Sequence, residues 1–214
     1  MPAPTEPQRT RRDQGPSTKR GETRKRDLLE AARRVFERKG FADTNVAAIV
    51  EEARTSRGTF YTYFDTKEAI FSAVAREVVK EMLDAMATSI PTTNFDARVH
   101  DAIRRFVAAY RPHARMLGLM EQVGTYSSEL ADIRLEARQI FVKRTQRGFE
   151  RMKQAGLTDS DLDVEYAAET LGAMLEYTCY LWFCLKKDFE EERLVESLAR
   201  TWLKVIGHPE RSGN

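Results

Sequence analysis

Ser56, Arg57, Thr59, Tyr61 and Thr62 fall close together, and no carboxylate interrupts them. Together they offer hydroxyls and one guanidinium. Such groups donate to phosphate oxygens and to the acceptor edges of bases. They do not make a bond-breaking set, because no general base or thiol sits beside them. The rest of the chain adds none. His100, His113 and His208 are scattered, and there is no Glu-x-x-His, His-Glu-x-x-His, Cys-x-x-Cys or glycine-rich phosphate loop. The expectation is therefore no catalytic residue, no metal and no cofactor.

Charge is distributed unevenly. The chain of 214 residues has a net charge of only +2, but residues 1–26 hold eight Arg or Lys against three acids. Residues 1–21 lack Leu, Ile, Val, Phe, Tyr and Trp and carry four of the seven prolines. They read as a disordered basic arm suited to a polyanion. Two cysteines, Cys179 and Cys184, lie on one apolar segment and point apart on a helix. Free thiols, no signal peptide and no span long enough for a bilayer lead us to expect a cytoplasmic protein with no membrane contact.

The elements that position the hydroxyl-rich cluster are helices. Leu28, Leu29, Ala32, Val35 and Phe36 recur at helical spacing, and Gly40 can end that helix in a left-handed cap. Thr44 reads as the N-cap of a short helix with Val46, Ile49 and Val50 on one face. After the turn at Arg54-Thr55, Ser56 caps a third helix running to about Tyr63. Asp65-Thr66-Lys67-Glu68 reads as a capping box that opens a fourth. Phe60, Tyr63 and Phe64 suit a small core. Further helices follow from Phe95, from about His113, over 127–155 and over 163–187. A final helix opens at a box formed by Asp188 and Glu191 and ends near Gly207. No strand pattern appears.

Gly40-Phe41-Ala42-Asp43-Thr44-Asn45-Val46, then Ile49-Val50-Glu51-Glu52-Ala53, then Ser56 to Phe64 and Lys67-Glu68-Ala69 resemble the signature of the TetR family of bacterial regulators. The likeness is strong over residues 24–75. The resemblance implies an all-α fold: an N-terminal three-helix helix-turn-helix DNA-binding domain plus a larger C-terminal helical ligand-binding and dimerisation domain. The chain then divides into the arm (1–21), the DNA-binding domain (22–70) and the sensor (71–210). One departure stands in the turn. The family usually has Ala-Gly-Val-Ser there, whereas this chain has Ala53-Arg54-Thr55-Ser56, so Arg54 takes a place that favours a left-handed backbone.

The third helix is expected in the major groove, with Arg57 reading a guanine edge and Gly58 permitting close approach. Thr44, Asn45, Arg54, Thr55, Ser56, Thr59, Tyr61, Thr62 and Lys67 complete the expected DNA surface, chiefly through phosphates. For the sensor, Phe106, Tyr110, Met116, Met120, Tyr126, Phe141, Phe149, Met174, Tyr177 and Tyr180 supply aromatic and methionine surface for a small-molecule effector. By resemblance, the last two helices form a homodimer interface with Tyr180, Trp182, Phe183, Leu194, Leu198 and Trp202. The partners implied are a double-stranded, palindromic DNA operator, a second copy and an apolar or amphipathic effector. A repressor is the leading reading. An activator or dual regulator uses the same chemistry, and a helical-bundle enzyme or a DNA-coating protein are the rivals from other classes.

Overall fold

The computed structural model describes residues 19–87 and 94–207, and every regular element among them is helical. The chain divides into two compact units, Met1–Val74 and Ala75–Asn214. The division falls four residues after the 70/71 boundary expected from sequence, inside a helix.

In the first unit, α1 (Lys19–Lys39) buries Leu28, Ala32, Val35 and Phe36. It starts earlier than expected: Lys19, Arg20 and Gly21 belong to the helix, not to an arm. Residues 1–18 lie outside the described residues. Gly40 adopts φ +80° and its N–H donates to the Phe36 carbonyl at 2.8 Å, which ends the helix as the sequence suggested. Phe41 then stacks back on Phe36 at 6.0 Å, and Phe71 meets both rings edge-on at 4.9 Å. α2 (Val46–Glu52) is capped by Asn45, whose side chain accepts from the Ala48 N–H at 2.9 Å. Thr44 is not the cap. Glu52 ties α2 to α1 through Arg34 at 2.9 Å and Arg38 at 3.0 Å. α3 (Arg57–Tyr63) and α4 (Lys67–Ala85) follow. The side chain of Thr66, one residue beyond the expected Asp65, accepts the Ala69 N–H at the start of α4.

The second unit is built from the C-terminal part of α4, α5 (Phe95–Tyr110), α6 (Ala114–Gly124), α7 (Ser128–Gln154), α8 (Val164–Cys179) and α9 (Glu191–Val205). Asn94 caps α5 by accepting from the Ala97 N–H. Pro112 falls in a short 3₁₀ turn, Arg111–His113, where its missing N–H is tolerated. The core of this unit joins Ile103, Phe106 and Val107 of α5 to Leu171 and Leu175 of α8 and to Val195 and Trp202 of α9.

Two expectations fail at the end of α8. The α-helix stops at Cys179 and continues as a π-helical turn, Tyr180–Cys184, in which the Leu185 N–H donates to the Tyr180 carbonyl. This places the Cys184 thiol 3.2 Å from the Ala114 carbonyl, to which it donates. A Cβ on Gly118 would lie 3.1 Å from that sulfur, so the glycine permits the approach. Glu190, not Asp188, caps α9 by accepting from the N–H groups of Glu192 and Arg193. No helix among the described residues is long and apolar enough to cross a membrane.

Candidate nucleic-acid interface and effector cavity

The turn between α2 and α3 is set by short-range bonds. Thr55 N–H reaches back to the Val50 carbonyl at 2.9 Å, and Arg54 N–H to the Glu51 carbonyl at 3.0 Å. That geometry forces Arg54 to φ +49°, the left-handed conformation anticipated where the glycine is missing. Ser56 caps α3: its Oγ accepts the Thr59 N–H at 3.1 Å and lies 3.0 Å from the Thr59 hydroxyl. Thr62 donates back to the Gly58 carbonyl. Beneath them Phe60 and Phe64 are buried, while Tyr63 is half-buried.

The opposite face of α3 points outward. Arg57 and Gly58 are exposed, and the Arg57 guanidinium has no partner among the described residues. Tyr61 is 54% exposed, with its ring edge-on to Phe60, so its hydroxyl is free to meet a phosphate. A Cβ on Gly58 would meet nothing closer than Ser56 Oγ at 3.7 Å. Nothing within the unit therefore requires glycine there. Asn45, Arg54, Ser56 and Thr62 share the exposed surface; Thr55 and Thr59 are half-buried.

Two expected DNA residues are placed differently. Thr44 is only 2% exposed and its hydroxyl donates to the Gly40 carbonyl, so it stiffens the loop after α1 and offers nothing to a phosphate. Lys67 donates to the Phe41 carbonyl at 2.9 Å and sits 4.3 Å over the Phe41 ring. Its first duty is to hold that loop, although two ammonium hydrogens remain.

In the second unit a cavity of about 460 Å³ opens among α4 to α8. Phe106, Tyr110, Met120, Phe141, Tyr177 and Tyr180 line it. Burial pushes the Tyr110 hydroxyl far above its ordinary pKa, so it stays a neutral group; it lies 3.8 Å from Cys184 Sγ. Burial likewise pushes the Cys179 thiol up to about 12, which makes it unreactive. Other expected lining residues lie elsewhere. Met116 is wholly buried in the core, Tyr126 is 70% exposed beyond α6, Met174 packs on the core, and Phe149 lines a neighbouring cavity.

Sequence reasoning missed the α4 wall, Val79, Met82, Leu83 and Met86, because the aromatic and methionine inventory began at Phe106. The two methionines were a signal within reach. It also missed the charged lining: Arg134 paired with Glu121, and Arg138 with Glu169 at 2.8 Å and Glu176 at 2.7 Å.

The residues expected at a dimer interface split into three groups. Leu198 and Trp202 are buried within this unit, Trp202 edge-on to Phe149 at 6.1 Å, so they have no surface for a partner. Tyr180 lines the cavity. Trp182, Phe183 and Leu194 are half-buried; the first two stack at 4.4 Å with Arg111 over both rings. The exposed positions of α8 include Tyr166, Thr170, Ala173 and Tyr177, of which Ala173 and Tyr177 also line the cavity.

A capped turn that presents a short helix with its guanidinium and hydroxyls outward, in a chain whose other unit is a helical body, defines the class: a helix-turn-helix transcriptional regulator. Residues 28–74 match the family described as "Bacterial regulatory proteins, tetR family". The chain is 31% identical over 157 residues to the HTH-type transcriptional repressor KstR2 of Rhodococcus jostii, covering 67% of this chain and 72% of that one. It is 25% identical over 202 residues to the HTH-type transcriptional regulator EthR of Mycobacterium tuberculosis, covering 92% of each. The chain belongs to the TetR family. Solved structures share the fold. A putative TetR-family regulator from Mesorhizobium loti superposes with a TM-score of 0.73 at 19% identity, over 89% of this chain and all of that one. The fatty acid degradation regulator FadR from Bacillus halodurans does so at 0.70 and 18%, over 84% and 94%.

Proposed function

We propose that this regulator is a cytoplasmic, homodimeric repressor that binds a palindromic operator and is released by a small apolar or amphipathic effector. The observation that carries the DNA half is the outward face of α3, where Arg57 has no partner among the described residues and stands beside a glycine whose Cβ would meet nothing closer than 3.7 Å. Arg57 reads a base edge; Tyr61, Ser56 and Arg54 meet phosphates, and the basic residues of the N-terminal arm add sequence-independent attraction. The relative named KstR2 is called a repressor, which supports that direction of control.

The effector half rests on the cavity. Its α4 wall matters most, because α4 also carries Lys67, whose bonds fix the loop after α1 in the first unit. A ligand that moves the C-terminal half of α4 thus acts on a helix that begins in the DNA-reading unit. It must favour the DNA-incompetent state, since equal affinity for both states shifts nothing. The second copy is assigned to the α8 stripe around Tyr166, with Trp182, Phe183 and Leu194. Tyr166→Asp should then dissociate the dimer in sedimentation and abolish operator binding.

Footprinting on the DNA beside the gene tests the reading. An inverted repeat is expected, with half-sites about 34–36 Å apart or a multiple of that. Protection of a single asymmetric half-site by a monomer overturns it. Adding an effector should weaken operator binding about 5–150-fold, and operator should weaken effector binding by the same factor.

A further inference from the structure

A second cavity, of about 240 Å³, adjoins the first and shares Leu83, Met86 and Phe141 with it. The two differ in charge. In the first, Arg134 and Arg138 already have carboxylate partners. An anionic ligand group there would have to displace a glutamate. Three arginines line the second cavity, Arg98, Arg105 and Arg144, and no Asp or Glu does. Asp101 satisfies Arg105 at 2.8 Å. Arg98 stands at the exposed rim of the cavity and its guanidinium has no partner among the described residues; Arg144 has only the Ala87 carbonyl at 3.2 Å. The intervening sequence 88–93 contains no carboxylate. Burial, and after it the charge of Arg105, lowers the Arg144 pKa.

A second observation lies inside the same cavity. Trp202 lines it, is 4% exposed, and has a buried indole N–H with no hydrogen-bond partner among the described residues. Buried donors are nearly always satisfied, so an orphan beside uncompensated cations points to an absent acceptor. We infer that the second cavity is a head-group site, and that the effector is an anionic amphiphile. Its apolar body fills the first cavity, and its carboxylate or phosphate accepts from Arg98, Arg144 and the Trp202 indole. Phe141, which lines both cavities, marks the neck between body and head. The assignment rests on the first cavity being the effector site, as proposed above.

Titration calorimetry on the full-length protein tests it with three probes of one chain length: decanoate, decyl phosphate and decan-1-ol. At least one anion should bind about tenfold or more tighter than the alcohol, because hydrogen bonds to charged groups are the stronger kind. The double variant Arg98→Gln/Arg144→Gln should lower that anion to the level of the alcohol and leave the alcohol unchanged. The indole N–H resonance of Trp202, assigned with Trp182→Phe, should move downfield with the anion and stay with the alcohol. Which anion wins separates a carboxylate head from a phosphate head. Equal affinities, absence of binding by both anions, or an anion advantage that survives in the double variant overturns the head-group site. Operator titrations keep the two readings apart. If the alcohol alone binds and still loosens operator, the effector cavity stands and the anionic head falls. If the anion binds as described without loosening operator, the head-group site stands and its control of DNA falls.

Discussion

The first unit closes its core with aromatic rings in mutual contact, whereas the second leaves space beside its own. Phe36, Phe41 and Phe71 fill the joint of α1 with α4, and small polar bonds from Thr44 and Lys67 lock the loop above them. In the second unit Phe106 and Phe141 meet at 5.0 Å but face a cavity, and the Trp202 N–H has no acceptor among the described residues. A reader of DNA must place a few side chains to within a fraction of a hydrogen-bond length, which rewards a rigid frame. A sensor must accept a guest, which requires surface that packing has not consumed.

Removing a ring from each unit is the sharpest test of this contrast. Phe71→Ala empties a fully buried, ring-walled site and should cost about 3–5 kcal/mol. Phe141→Ala widens space that already exists and should cost about 1–2 kcal/mol, because little new void is created. Both tryptophans, Trp182 and Trp202, belong to the second unit, so their fluorescence reports that unit, while far-UV dichroism reports both. Urea unfolding by the two signals should show the larger shift for Phe71→Ala in dichroism. Equal losses for the two variants would erase the proposed difference in packing.

Next in size is the DNA contact. Arg57→Ala should cost about 1–3 kcal/mol at one base position and relax specificity there, with no loss of stability, since the side chain is exposed and has no hydrogen-bond or ion-pair partner among the described residues. Tyr61→Phe should weaken all sequences alike, by less. Competition binding with single-base operator variants separates the two. Uniform weakening by Arg57→Ala would demote it to a phosphate contact.

The same contrast governs what was legible in the sequence. The first unit is made of motifs whose physics is local: a glycine at φ +80° after α1, a serine cap on α3, a left-handed turn at Arg54. Residue type and spacing suffice for these; the caps shifted by one residue, as at Asn45 and Thr66, and the start of α1 took in Lys19, Arg20 and Gly21. Capture of Lys67 by Phe41 needed a contact between residues 26 apart, which spacing alone does not carry. In the second unit the helices were legible but their faces were not. Leu198 and Trp202 have the apolar period of an interface and of a core equally, and their burial within the unit, for Trp202 against Phe149, decides it. The π-helical turn after Cys179 left no sequence mark that we can identify; of the two places expected for Tyr180, the cavity wall is the one it occupies.

Smaller effects come from two backbone choices that run opposite to propensity. Arg54 occupies a left-handed position that favours glycine, and Gly58 occupies a helical position that favours anything else. Arg54→Gly should stabilise the first unit by about 1 kcal/mol, and Gly58→Ala by about 0.5–1 kcal/mol. Each should weaken operator binding, the first by removing a cation and the second by adding a methyl group at the groove. Thermal unfolding with a paired operator titration reads both signs. If Gly58→Ala left binding intact, close approach would not explain the glycine.

The finest test concerns Glu52, the exposed-rim clamp between α1 and α2. Hydrogen bonds from Arg34, then Arg38, hold its carboxyl below the ordinary 4.5. A carboxyl whose folded pKa is depressed stabilises the folded state above its unfolded value, and that contribution is lost as pH falls through the folded value. Glu52→Gln keeps the shape of the side chain and removes the charge. At neutral pH the variant should therefore be slightly less stable than the parent. The gap should narrow as the pH drops below about 4.5 and vanish once Glu52 is protonated in both states. Added salt at neutral pH should narrow it as well, because the pairs are open to solvent. Since no guanidinium of the α3 face takes part, operator specificity should not follow the same pH curve. A gap that persisted unchanged at low pH would mean that Glu52 acts through packing, and that the frame of the DNA-reading unit does not depend on this charge.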